Sequence, residues 1–220
     1  MDVTLAALTL LHILVLVYWL GGDLGAFYAS TILTDTRKSA AARAQAGLIL
    51  NAVDMAPRTA LILAFPTGFT LAVQLGHWSA PTWQVAAAWI TCLLWLAIAW
   101  SIHLQHAPPK ALSRRVDLAI RWAFLLKLAA IAAVPGIVGQ DLPLFLRLKL
   151  AILAGAIAAG LAIRVILAPF GPPFMALIKG EPTPETDTAI AGILGRARPL
   201  VITLWLLLIA AALLGLARPI

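Results

Sequence analysis

Residues 11–30 read LHILVLVYWLGGDLGAFYAS, an apolar stretch carrying one imidazole, His12, and one carboxylate, Asp23. Hydrocarbon penalises both groups, so an ionisable residue in such a stretch points to function by default. Neutral imidazole ligates haem iron, copper and zinc, which makes His12 the candidate cofactor or metal ligand. The plain alternative is a hydrogen bond to a neighbouring helix. At about 100° per helical residue, His12, Trp19, Asp23 and Ser30 fall on one stripe. Gly21, Gly22 and Gly25 flank that stripe and remove side-chain bulk, opening it to a second backbone or a flat cofactor.

Seven more ionisable residues stand in apolar stretches: Asp54, Arg58, Asp117, Arg121, Lys127, Lys149 and Arg164. Asp54 with Arg58, and Asp117 with Arg121, are four apart and so share a helix face. A charge at the bilayer centre costs on the order of 3 kcal/mol or more, and a partner reduces that cost. Two readings coexist. In one, the pairs form an internal network that fixes helix packing. In the other, Arg58 and Arg121 neutralise an anionic ligand such as porphyrin propionates, while Asp23 and Asp54 orient those arginines or carry protons. Lys127 and Lys149 reach a metal only when deprotonated. His77 in LGHWS, and His103 with His106 in SIHLQHAPP, sit at the edges of apolar runs, where solvation accounts for them.

These groups need helices that cross lipid to position them. Of 220 residues, 62% are hydrophobic and 11% charged, against roughly 25% charged in a soluble domain. Mean hydropathy is +0.98. The expected fold is all-α: a polytopic membrane helix bundle in one transmembrane domain over residues 1–220. About 20 apolar residues span the hydrocarbon core, which predicts six spans at 4–31, 48–76, 83–105, 115–138, 144–168 and 199–217. Pro66 and Pro135 fall inside spans, and residues 40–51 extend the second helix beyond the membrane. Residues 169–198, with FGPP and EPTPET, read as irregular, then as a short amphipathic helix.

Positive charge sets the expected orientation. Arg37, Lys38 and Arg43, then Lys110, Arg114 and Arg115, then Lys179, Arg196 and Arg198 cluster in the first, third and fifth connections. By the positive-inside rule both termini then face away from the cytoplasm, in what reads as a bacterial inner membrane. His12 and Lys149 fall in the outer half and Lys127 just outside the midplane; the other six ionisable residues fall in the cytoplasmic half. Trp78, Trp83, Trp100 and Trp122 read as an interfacial aromatic belt. The start, MDVTLAALTLLH, lacks the basic region and cleavage site of a secretory signal, so the first helix is expected to remain.

The same composition excludes several classes. The net charge of +7 marks cytoplasmic loops and lipid surface, not nucleic acid. Cys92 stands alone, so no Cys-pair zinc or iron–sulfur spacing exists. No GxSxG, P-loop, dinucleotide fingerprint or HExxH occurs, and the glycine-rich GGDLG and LAGAIAAG read as packing positions.

The pattern H-x6-W-x2-G in HILVLVYWLGG, His12 to Gly22, resembles the first helix of the HemJ-type membrane protoporphyrinogen oxidases. The fifth span, with Lys149 and Arg164, looks like the lysine-containing span of the copper-resistance D (CopD-like) membrane proteins. The first resemblance implies haem b, with His12 as ligand and Trp19 and Gly22 beside it. The chain departs from the pattern at Phe27–Tyr28, which sits about three residues late. Only Met55 of three methionines lies in a span, so the thioether ladder expected for Cu(I) is missing.

The leading expectation is a haem-b-binding membrane redox protein that passes electrons to a quinone or respiratory partner in the lipid bilayer, alone or as a homo-oligomer. Two alternatives remain. One is a permease or copper-handling protein that uses the Asp/Arg layer as a pathway. The other is a non-catalytic subunit that anchors a partner.

Overall fold

The computed structural model describes residues 2–105, 108 and 111–217. They form an all-α protein. In chain order the helices are α1 (Val3–Leu33), α2 (Ala40–Val53), α3 (Met55–Gln74), α4 (Thr82–Leu104), α5 (Leu112–Ala133), α6 (Leu144–Ile166), α7 (Gly171–Ile178) and α8 (Pro184–Ala217). A short 3-10 turn, Ala168–Phe170, precedes α7.

Five stretches are long and apolar enough to cross a membrane: Val3–Leu33, Ala40–Gln74, Thr82–Leu104, Leu144–Ile178 and Pro184–Ala217. Their apolar windows stay largely outside the core, with only 11% of the window buried in the first and last. Leu10, Val17, Leu94, Leu206 and Leu213 are all more than half exposed. Water would not tolerate that surface, whereas lipid tails cover it at no cost. This is an integral membrane architecture. A helix also stands at the remaining expected span, but α5 carries Asp117, Arg121 and Lys127 within its 22 residues.

Several boundaries differ from the hydropathy reading, each for a local reason. The second span is two helices that meet at Asp54. Pro57 has no N–H to offer the Val53 carbonyl, so the ladder breaks one turn before it. Asp54 closes α2, its backbone N–H bonding the Leu50 carbonyl. Pro135 lies outside α5. The residue before a proline is pushed out of the helical region, and Val134 is extended at φ −108°, ψ 106°. Arg147 Nε then caps the exposed end of α5 at Ala132 O, 3.0 Å. The EPTPET stretch begins α8: Thr183 and Thr186 exchange side-chain-to-backbone bonds (2.8 and 3.3 Å), with Pro184 at the first helical position.

The chain divides into two compact units. The first comprises Met1–Trp19, Arg58–Ile157 and Leu207–Ile220. Its interior is aromatic: Phe65 stacks on Phe69 and meets Phe124 edge-on, and Trp95 packs on Phe124. Trp78 is buried edge-on against Phe69, so it is core and not belt. Trp83 and Trp122 are exposed, as an interfacial belt requires.

The second unit comprises Leu20–Pro57 and Ala158–Leu206. Its core is Leu33, Ala46, Leu177, Ile190 and Leu194, with Phe170 and Phe174 packed against it. Gly47 lets the Phe174 ring lie against α2, since a Cβ there would overlap the ring. Two arginines, Arg43 buried and Arg198 half-buried, tie down the end of α1. Arg43 Nε donates to Leu33 O at 3.0 Å, and Arg198 Nη2 donates to Ser30 O at 3.1 Å.

Candidate functional site

His12 is on α1, and its imidazole lies against α3. The Nδ1 atom is 2.8 Å from the Thr67 hydroxyl, whose residue is almost wholly buried. The next residue on α3 is Gly68, where a Cβ would come 3.1 Å from His12 Cε1. The missing side chain is what lets the ring approach the helix backbone. The first helix therefore turns its histidine inward, toward a polar spot on an apolar neighbour. Lys149, from α6, lies within electrostatic range of His12. Its ammonium passes over Gly215 of α8, where a Cβ would come 2.7 Å from Nζ. His12 and Lys149, expected in one outer layer, are thus neighbours.

Thr67 belongs to a row of α3 hydroxyls that lie against ring nitrogens. Trp89 Nε1 bonds Thr70 Oγ1 at 2.9 Å, and Trp100 Nε1 bonds Thr59 Oγ1 at 3.1 Å. Thr67 and Thr70 also bond back to carbonyls one turn earlier, Leu63 O and Pro66 O, each at 2.7 Å. Buried hydroxyls in helices satisfy themselves in this way and keep a lone pair for a partner.

A second polar cluster in the same unit is internally paired. Arg121 Nε donates to Asp117 Oδ2 at 3.1 Å, and Trp95 Nε1 donates to Asp117 Oδ1 at 2.9 Å. The Arg121 guanidinium also lies 5.5 Å from the Trp95 ring centroid. Both charged residues are buried. Arg121 is therefore held by a carboxylate and a ring face, and its role on this geometry is to join α4 to α5.

The remaining expected residues are dispersed. Trp19 is core. Lys127 and Arg58 are exposed, and Lys127 is flanked on the outer face of α5 by exposed Trp122 and Leu126. Asp23 is buried and Asp54 half-buried, both in the second unit. At Gly22 a Cβ would come 2.5 Å from Ala56 Cβ and 2.8 Å from Pro57 Cδ. That glycine serves close helix packing. His77 meets Phe145 edge-on and His103 meets Trp100 edge-on. His106 lies outside the described residues. Among the described residues no group of three His, Cys, Asp or Glu side chains is placed to hold a metal ion.

Two surface pockets occur in the second unit. One, of about 430 Å³, is lined by Tyr28, Thr31, Asp35, Arg37 and Lys38 at the end of α1. The other, of about 590 Å³, lies among Pro169, Pro172, Pro173, Ala189 and Ile193.

Sequence reasoning found His12 but not the residues that place it. Thr67 and Gly68 carry one signal, a small polar residue followed by glycine inside an apolar span. Comparison with protein-family models, curated proteins and solved structures finds no match to this chain.

Proposed function

We propose that this chain is a haem-b-binding integral membrane redox protein in which His12 would ligate the iron. The observation that carries the reading is the placement of His12: a membrane imidazole anchored through one ring nitrogen, facing a helix surface stripped of side chain at Gly68. The Thr67 contact and the close approach over Gly68 hold the ring in one orientation. A haem iron would take a nitrogen donor from the protein, and His12 would supply it.

The group, when bound, supplies one-electron redox chemistry. The protein's share is to hold, orient and shield. Thr67 fixes the ring, the aromatic interior of the first unit excludes water, and Lys149 supplies positive charge for a carboxylate-bearing ligand. Arg58 is the second proposed cation for propionates. Asp23 and Asp54 are the proposed proton carriers, and a quinone or respiratory protein is the proposed electron partner. In this reading both termini face away from the cytoplasm of a bacterial inner membrane. Arg121, bound to Asp117, keeps α5 against α4 and takes no part in holding the ligand.

The test is the absorption spectrum of detergent-purified protein made with ample haem, oxidised and reduced. A Soret band that shifts on reduction, and is lost in His12→Ala, is expected. Colourless wild-type protein overturns the reading, as does a variant with an unchanged spectrum.

A further inference from the structure

A histidine ring ligates through whichever nitrogen lacks a proton, and the other nitrogen's hydrogen bond decides which one that is. At His12 the deciding partner is the Thr67 hydroxyl, which has one hydrogen to give. Thr67 Oγ1 lies 2.7 Å from Leu63 O, a separation at which two oxygens repel unless a proton lies between them. A carbonyl has no proton, so the hydroxyl proton points to Leu63. Toward His12 the hydroxyl is then left with lone pairs, and the 2.8 Å contact requires the hydrogen on Nδ1.

One turn along α3 the same arrangement occurs with a ring whose role is fixed. Indole nitrogen only donates. Trp89 Nε1 donates to Thr70 Oγ1 at 2.9 Å, and Thr70 Oγ1 sits 2.7 Å from Pro66 O. Ring donor, threonine relay and carbonyl one turn back match in order and distance. His12 repeats with imidazole what Trp89 does with indole.

We infer that Thr67 is a positioning residue that fixes His12 as the neutral Nδ1–H tautomer and so makes Nε2 the ligating atom. The device is a relay from imidazole to hydroxyl to helix carbonyl, and the polarised Nδ1–H makes Nε2 a better donor to a metal. Ligation through Nε2 rests on the haem-binding reading above, whereas the tautomer does not.

The test is nitrogen-15 NMR of histidine-labelled protein in lipid nanodiscs, the His12 signals being those lost in His12→Ala. Wild-type protein is expected to show a protonated Nδ1 and a bare Nε2. Thr67→Val keeps the shape and removes the acceptor, and should lose that tautomer preference. Thr67→Ser keeps the hydroxyl and should restore it. Haemin titrated into the same samples should bind about tenfold or more weakly to Thr67→Val, as loss of a ligand's supporting hydrogen bond does, and near normally to Thr67→Ser.

A protonated Nε2 in the wild-type protein overturns the inference without any variant. So does a Thr67→Val protein that retains both tautomer and haemin affinity. If the tautomer is as expected but no sample binds haemin, the haem reading falls and the assignment of Thr67 stands.

Discussion

Arg43 holds Asp187 with both terminal nitrogens, Nη2 to Oδ1 at 2.7 Å and Nη1 to Oδ2 at 3.2 Å, across 144 residues of sequence. The same guanidinium reaches Leu33 O through Nε. One buried side chain thus ties the end of α1, the start of α2 and the first turn of α8. Removing Arg43 takes three hydrogen bonds away and leaves the half-buried Asp187 carboxylate without its guanidinium. Arg43→Ala should cost about 1.5–3 kcal/mol, read as reduced resistance to unfolding in detergent. A variant with wild-type resistance would show that the pair carries no weight.

The Asp117–Arg121 pair predicts non-additivity. Asp117→Leu alone takes the carboxylate from a buried guanidinium, and Arg121→Met alone takes the guanidinium from a buried carboxylate. Each should destabilise by about 3–5 kcal/mol, while the double replacement recovers most of the loss because both charges go. Additive losses in a double-mutant cycle would contradict the pairing. Because Arg121 is committed to Asp117, the double variant should also retain any bound haem.

Adjacent glycines should behave oppositely. A methyl at Gly22 meets Ala56 and Pro57, whereas one at Gly21 meets nothing within 4 Å. Gly22→Ala should cost about 1–3 kcal/mol through overpacking. Gly21→Ala should be close to neutral. Equal thermal shifts for the two in detergent would argue against close approach of α1 to the start of α3.

Asp35 gives a pH prediction. It accepts Arg37 Nε at 2.8 Å and the Arg37 backbone N–H at 3.1 Å, and these bonds hold its carboxyl below the usual aspartate range. A depressed carboxylate stabilises the fold above its ordinary pKa, and that contribution is lost as pH falls through the depressed value. The loop after α1 should therefore loosen only at the acid end. Carbon-13 titration of the Asp35 carboxyl checks this: the midpoint should rise toward the ordinary value in Arg37→Ala, and an unmoved midpoint would refute the link.

Much of the helical architecture was readable because lipid imposes a length and an apolarity that any sequence must show. What the sequence concealed was local. Thr183–Pro184–Glu185–Thr186 reads as a proline-broken loop, yet it is a helix start, since proline at the first helical position loses no hydrogen bond. Pro135 reads as inside a span but lies beyond the end of α5, because Val134 had to leave the helical region. At the site, His12 stood out by its cost in hydrocarbon. Thr67 did not, because a threonine in a membrane helix satisfies itself on its own backbone and leaves no mark in composition. Asp117 and Arg121 were legible as a pair by spacing, but their third member, Trp95, is brought in from α4 by tertiary packing alone.

The most direct measurement is haem stoichiometry, from pyridine haemochrome absorbance against protein mass, for wild-type and His12→Ala proteins purified side by side. The account predicts stoichiometric b-type haem in the wild-type protein and its loss in the variant, with both still folded by circular dichroism. Equal haem content in the two, or none in either, would contradict it.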